Sequence, residues 1–571
     1  MPLSLHLALL LAAAEGTWKR PDVLNATATS CKTGTAIVGS NRQAKNPCVG
    51  SEGDECEYSC DAGHVKIGRH VCQSYTTKSG GVAVDHAFFG GRCERLCSSS
   101  AADCPSGAVP VRWNASDASG HCFQTSCLKP DEALRRLARG NYGIWRLGRS
   151  DATGIYTGGV NPSADPAGQS SQAHIGINGV ALMMECVAVE MGWTSVAEAQ
   201  ARVNQTMSSL AGKTPGFKLP RNKRGWIPTF FDRNTGASRA TSYTVLDTGL
   251  NAAGVLFAKR YFVEKHPDAA LTQSIAGLAN EIWGAVQWEN VLCDSKTKKI
   301  DPSGTAIPFT FDDDDNCDGL HVPAEDGYYK FSELHYTVWL SYSKACAGRA
   351  AGQCQHQGLD RMWQAWQGRR LNPDIHYQGL PLLSLWSSYI VHLPYYASHS
   401  FNADPTWQSL FKSHWQADRA YYQSSAFFAG DAGRYGIAAG FTDKWCSAKN
   451  TNYEADMLVL SSDPSKGSQG CRIYSPYAVA GYLPAASDTI KEHLLELLAA
   501  GESVFTLRDG SGDYVMLRKS LLEPGWDQSS HVSMVDFSSE LFGLSTLWLG
   551  TGFWQEYTNH FGETVAEVLM V

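Results

Sequence analysis

Long basic runs, nucleotide-binding and metallopeptidase signatures, paired CxxC motifs and, beyond the first residues, any uninterrupted apolar stretch of about 20 residues are all missing from this chain. Each absence closes a class of function. Lys and Arg number 48 against 56 Asp and Glu, a formal charge of −8. With no basic patch to neutralise phosphates, a nucleic-acid partner is not expected. Without a P-loop, HExxH, GxSxG or dinucleotide fingerprint, nucleotide-dependent chemistry has no support, and no cofactor or metal is called for. Nothing past the N-terminus is expected to span a membrane, and the mature protein reads as soluble.

What is present begins with cysteine. Ten of the 17 cysteines, Cys31 to Cys127, precede residue 130, and seven are scattered over the rest. Met1–Ala14 is a short apolar stretch ending in Ala12-Ala13-Ala14, the shape of a signal h-region with an A-x-A cleavage site, although it lacks a basic n-region. Sequons at Asn25, Asn114 and Asn204 point the same way, to a secreted glycoprotein. In an oxidising compartment ten cysteines permit five bridges, so residues 31–130 are expected to form a disulfide-stapled module rather than a zinc site. Within it Cys56, Cys60, Gly63, Cys72, Gly91 and Cys93 resemble the cysteine and glycine spacing of sushi modules. Farther on, proximity pairs Cys293 with Cys317, Cys346 with Cys354 and Cys446 with Cys471, leaving Cys186 unpaired.

A chain of 571 residues exceeds one ordinary domain. Residues 131–173, rich in Gly, Ser, Asp and Ala, read as a linker. From residue 174 to 571 the texture changes to recurrent apolar and amphipathic runs of helix length, with few strand-like runs, which predicts a mostly α domain of helical hairpins whose loops build a cleft at one end. The 17 tryptophans and 11% aromatic content suit stacking on sugar rings and equally suit a large aromatic core.

Chemistry concentrates around Phe331-Ser332-Glu333-Leu334-His335-Tyr336, where one carboxyl lies among aromatic side chains at the start of an apolar helical run. Partial desolvation there raises a carboxyl's pKa towards that of a general acid working near neutral pH. The plainer alternative is a glutamate at a helix N-terminus, with Ser332 as the cap. Three other segments recur in fixed order with this one: Gly225–Gly236 with Val245–Gly254, Asn280–Trp283 with Val286–Leu292, and His531–Leu544.

Together these four segments resemble the endo-β-1,2-glucanases of glycoside hydrolase families 144 and 162, particularly the eukaryotic family 162, over roughly residues 174 to 561. The resemblance implies an (α/α)6 barrel that hydrolyses β-1,2-glucan internally with inversion, Glu333 serving as general acid and Asp536 as general base. Inverting hydrolysis needs two carboxyls in different environments, one protonated at the leaving oxygen and one ionised beside water. Asp536 follows an apolar stretch and precedes Ser538 and Ser539; its alternative role is to cap the helix expected over 538–548. One departure from the bacterial branch falls where this chain reads Trp386-Ser387-Ser388-Tyr389-Ile390-Val391-His392, so no bacterial role transfers to His392.

Further candidates for contacting substrate are Asp247, Trp283, Tyr329, His335, Trp386, His392, Arg434 and Asp443. Asp247 lies in an Asp-Thr-Gly triplet, but an aspartic protease needs a second such triplet in a β-rich lobe; Asp247 reads as a sugar-hydroxyl acceptor or a helix cap. Trp283, Trp288, Tyr329, Trp386 and Trp445 are equally platforms or core. His335, two positions after Glu333, points away from the same helix face. Arg434 and Asp443 belong to a glycine-rich loop expected over the site. The run Asp312–Asn316 lacks the ligand spacing and glycine of a calcium loop and reads as solvated. Two other readings stay open: a binding or adhesion protein with an inactive barrel, and a transglycosylase or phosphorylase. Oligomeric state is not legible.

Overall fold

The computed structural model describes residues 26–31, 55–60, 64–67, 70–76, 84–89, 92–97, 104–117, 120–162, 164, 168–346, 354, 356–424, 433–441, 453–455, 473–501, 503–507, 511–520 and 531–561. The signal-like segment, Asn25, Asp443, Trp445, Cys446 and Cys471 lie outside these residues. The chain divides into two compact units: residues 1–130 with 420–434 and 496–502, and the remainder.

Among the described residues the first unit is built of short antiparallel strands. Ala26–Cys31, Glu55–Cys60, His70–Thr76 and Val84–Phe89 form one sheet, in that order. His64–Ile67 pairs with Arg92–Arg95, and Val109–Asp117 forms a hairpin with Gly120–Leu128. An isolated hairpin is marginal in water. Disulfides Cys97–Cys122 and Cys104–Cys127 tie this hairpin to the segment before it, over a small core that includes Leu96 and Phe123. The expected disulfide-bonded β module is therefore present.

The second unit is mostly helical. Its helices are α1 (Pro130–Gly148), α2 (Ile175–Glu190), α3 (Val196–Leu210), α4 (Val245–Lys265), α5 (Thr272–Gly284), α6 (His335–Cys346), α7 (Gln357–Leu371), α8 (Tyr389–Ala397), α9 (Pro405–Ser424), α10 (Pro476–Gly481), α11 (Ser487–Ala500) and α12 (Met534–Thr558, broken at Gly550). Sequence pattern separates two classes. In α2 every residue from Ile175 to Ala188 is buried and, apart from Asn178 and the Arg202-paired Glu185, the run is apolar or small all round, the mark of a helix enclosed by others. α5 instead buries a stripe, Ile275, Leu278, Ala279 and Ile282, and α3 opens with a Ser195/Glu198 capping box and buries one face. The enclosed helices pack in succession: α2 on α4, α4 on α6, α6 on α8, α10 on α12 and α12 back on α2. Tyr396 of α8 donates to the Gly481 carbonyl at the end of α10 at 2.8 Å, and α12 packs on α8 and α4 as well. α3, α5 and α7 pack on the outside of α2, α4 and α6.

Inner helices cross closely at α2 against α4 and at α10 against α12. A Cβ placed on Gly254 would lie 1.9 Å from the Gly179 carbonyl oxygen, so the two backbones touch where both side chains are a single hydrogen. Disulfides Cys293–Cys317 and Cys346–Cys354 are formed as proximity indicated, and Cys186 is a buried free thiol in α2. Among the described residues no helix is long and apolar enough to cross a membrane.

The reading of 131–173 as a linker needs correction. Its first part is α1, a helix of 19 residues whose Leu134, Leu137, Ala138, Ile144 and Trp145 are buried. Averaged composition hid a helical period that stops at Gly148. The remainder supplies strands Gly159–Val160 and Gln172–His174, which belong to the wall of the site.

Candidate functional site

A cavity of about 420 Å³ opens where inner helices begin. His174 caps α2, Leu246 and Asp247 sit in the first turn of α4, Glu333 and Tyr336 flank the start of α6, Tyr389 starts α8, and Ser533 and Val535 start α12; all line the cavity. Five helix N-termini thus converge there, each a favourable place for negative charge.

Glu333 lies in the turn before α6 rather than inside the helix. Ser332 shapes that turn, its hydroxyl accepting from the Leu334 amide at 3.3 Å. The Glu333 carboxyl is buried, and burial, reinforced by the nearby Asp247 and Asp536 carboxyls, pushes its pKa up to about 7. Burial and the Asp247 and Glu333 charges push the Tyr336 phenol well up, and burial with Glu333 and Asp536 does the same to Tyr389. Glu333, Asp247, Asp536, Tyr336 and Tyr389 are therefore one electrostatic cluster.

The two aspartates are placed by one local device. Asp247 is the third residue of α4 and accepts from the N-cap Thr244 hydroxyl at 3.0 Å, while its own amide donates to that hydroxyl at 3.1 Å. Asp536 is the third residue of α12, not the cap of a later helix, and accepts from the N-cap Ser533 hydroxyl at 3.4 Å. At Asp247 a closed cap and a place in the cluster coexist; at Asp536 the side chains meet without a cap bond to the backbone amide. Asp536 is buried and borders a crevice of about 10 Å³ between α8 and α12, whose walls Tyr389, Leu393 and Val535 also face the main cavity.

The other sequence candidates lie elsewhere. Trp283, at the end of α5, stacks on Trp288 at 4.6 Å. Tyr329 is buried against Trp366 and donates to the Thr305 carbonyl. His335 is fully buried among Phe331, Trp363, Phe401 and Trp407, and burial lowers its pKa to about 3, so it is a neutral core side chain. His392 packs edge-on to Tyr482 and borders only the small crevice; burial and His414 hold its pKa well below the usual value. Trp386 is 48% exposed before α8 and does not line the cavity. Arg434 is half-buried and belongs to the first unit. In the acidic loop, Asp312 accepts from the Asp314 and Asn316 amides and Asp315 pairs with Lys223 and Arg224.

Sequence reasoning missed His174, Phe230, Phe441 and His531, all of which line the cavity. His174 Nε2 lies 3.5 Å from Asp247 Oδ1. Phe230 and His531 stood in segments already singled out and Phe441 in the loop expected over the site, but none was picked as a contact; His174, Phe230 and Phe441 sit on strands of two or three residues with no period to read.

The fold has solved counterparts. An endo-β-1,2-glucanase from Chitinophaga pinensis, in complex with sophorotriose and glucose, is 14% identical with a TM-score of 0.56, over 75% of this chain and 95% of its own. A β-1,2-glucanase from Parabacteroides distasonis is 13% identical with a TM-score of 0.56, over 90% and 71%. A suggested glucoamylase from Bacteroides fragilis is 14% identical with a TM-score of 0.57, over 76% and 95%. At such identities the likeness is one of fold. No protein-family profile matches the chain, and no curated protein sequence does.

Proposed function

We propose that this chain is a secreted endo-acting glycoside hydrolase that cleaves β-1,2-glucan with anomeric inversion, Glu333 protonating the leaving oxygen and Asp536 activating water. The observation that carries the reading is a buried carboxyl in the cavity wall, raised to about pKa 7 beside two further carboxyls. A general acid must hold its proton at working pH while its partner stays ionised. Asp536 has the partner's setting: a helix N-terminus, a hydroxyl donor, and a crevice about the size of one water. β-1,2-Glucan as substrate rests on the sequence resemblance and on what the Chitinophaga and Parabacteroides counterparts are described as cleaving. Formed disulfides support an oxidising compartment.

The test is incubation with linear β-1,2-glucan, following released oligosaccharides by chromatography and their anomeric form by NMR. Wild type is expected to release oligosaccharides of inverted configuration, with Glu333→Gln and Asp536→Asn each lowering kcat by at least about 100-fold. The Bacteroides counterpart favours a second reading, hydrolysis of α-linked glucan. Cleavage of starch but not β-1,2-glucan would establish it. Cleavage of neither would return the chain to a binding role.

A further inference from the structure

The missed residues are not scattered around the cavity; they form a row. Phe230 is opposite His174 in the antiparallel pair Phe230–Asp232 and Gln172–His174. Alternation along each strand turns Gln172, His174 and Phe230 to the cavity, while Ala173 and Phe231 point into the core and are fully buried. The Phe230 ring is 38% exposed and meets the His174 ring edge-on, centroids 5.2 Å apart at 72°. The next segment inward is Thr157–Val160: Thr157 bridges Ala173, and the Gly158 amide donates to the Gln172 carbonyl at 2.8 Å. Gly159 and Val160 pair in turn with Ser533 and Val532. His531 lies directly on Gly159, where a Cβ would come within 2.0 Å of its Nε2, so only glycine admits the imidazole there. Phe441 ends the row, edge-on to His531 at 4.2 Å and 73°.

The row therefore reads phenylalanine, imidazole, glycine pair, imidazole, phenylalanine, across segments that approach one another as strands do. The four strand-paired segments leave three intervals of about 4.8 Å, and the Phe441 ring lies 4.2 Å beyond that of His531, roughly 19 Å end to end. Three features suit a chain of sugar rings: apolar faces at both ends, ring nitrogens for hydroxyls between them, and Gly158, where a Cβ would meet nothing closer than 3.5 Å and the backbone stays open to a ligand.

We propose that this row is the track on which a glucan chain lies across Glu333, with Phe230 and Phe441 as stacking platforms at opposite ends and His174 and His531 as hydrogen-bonding partners of the hydroxyls between. The inference rests on the reading of the chain as a polysaccharide hydrolase and adds the residues that hold substrate on both sides of the cut. Platforms at both ends favour a chain that passes through over one that ends in the site.

The test compares Phe230→Ala, Phe441→Ala, the corresponding Tyr variants and the double Ala variant on linear β-1,2-glucan. Each Ala variant is expected to raise KM about tenfold with kcat within about twofold; Tyr restores wild-type values, and the double variant approaches about 100-fold. Unchanged KM in both Ala variants, or a fall in kcat alone, would overturn the track while leaving hydrolysis standing. If wild type cleaves nothing, calorimetric titration with the same glucan decides. Binding weakened by both Ala variants upholds the track without hydrolysis, and absence of binding ends both.

Discussion

Glu333 shows at the scale of one residue how function is set against stability. Its carboxyl stays protonated to about pH 7 in the folded chain, against 4.5 for an ordinary glutamate. Between those values the folded state keeps a proton that the unfolded state has lost. The stabilisation is complete below about pH 4.5 and is lost as pH rises through about 7. The difference, 7 − 4.5 = 2.5 units, is worth on the order of 3 kcal/mol. Glu333→Gln should remove this dependence. Scanning calorimetry is expected to show the variant melting above wild type at pH 8 and converging with it near pH 4.5. Two melting curves that stay parallel across that range would show that Glu333 carries no such proton. In wild type, kcat/KM should fall on the alkaline side with an apparent pKa near 7. That Glu333 would sit in an apolar setting was legible from the lone carboxyl among aromatics, and it lines the cavity. Tyr329, Trp283 and His335 were not separable from it, since an aromatic in a core and an aromatic in a cleft leave the same trace until burial is known.

At the scale of elements, two inner helices start alike: Thr244-Val245-Leu246-Asp247 and Ser533-Met534-Val535-Asp536. A hydroxyl stands at the N-cap position, an aspartate three residues on accepts from it, and that aspartate also belongs to the cluster. A place at a helix start and a place beside Glu333, weighed as alternatives from sequence, therefore do not exclude each other. Helices of this length announce themselves through composition and period, which is why the mostly helical domain was legible from residue 174 onward. The strands that carry Phe230, His174, Gly159 and Phe441 are too short to show alternation, and only tertiary pairing sets their register. The α2–α4 crossing offers a direct check on helix packing. Gly254→Ala would press a methyl group into the Gly179 carbonyl, a backbone atom unable to move aside cheaply. The expected loss is about 2–3 kcal/mol in a denaturant titration. A loss below about 0.5 kcal/mol would mean that α2 and α4 slide apart freely.

At the scale of the whole molecule, loops as well as helices need fixing. Cys293 and Cys317 are 24 residues apart and close the loop that contains the acidic run. Replacing both by Ser should lower the unfolding free energy by about 3 kcal/mol through the freed entropy of the unfolded chain. Equal stability of the double variant and wild type under non-reducing conditions would show that the loop holds itself. The stretch expected to be a linker is instead held to the helical unit: Asn141 of α1 donates to the buried Glu540 carboxyl of α12 at 2.9 Å across 399 residues. That contact has a consequence in time. Helices α2 and α4 leave the ribosome with apolar faces whose last neighbour, α12, begins about 340 and about 270 residues downstream of them. At about 5–20 residues per second that interval lasts on the order of tens of seconds. Helices whose partner is made last keep an uncovered face until synthesis is nearly finished, and they spend that wait exposed to every other nascent chain.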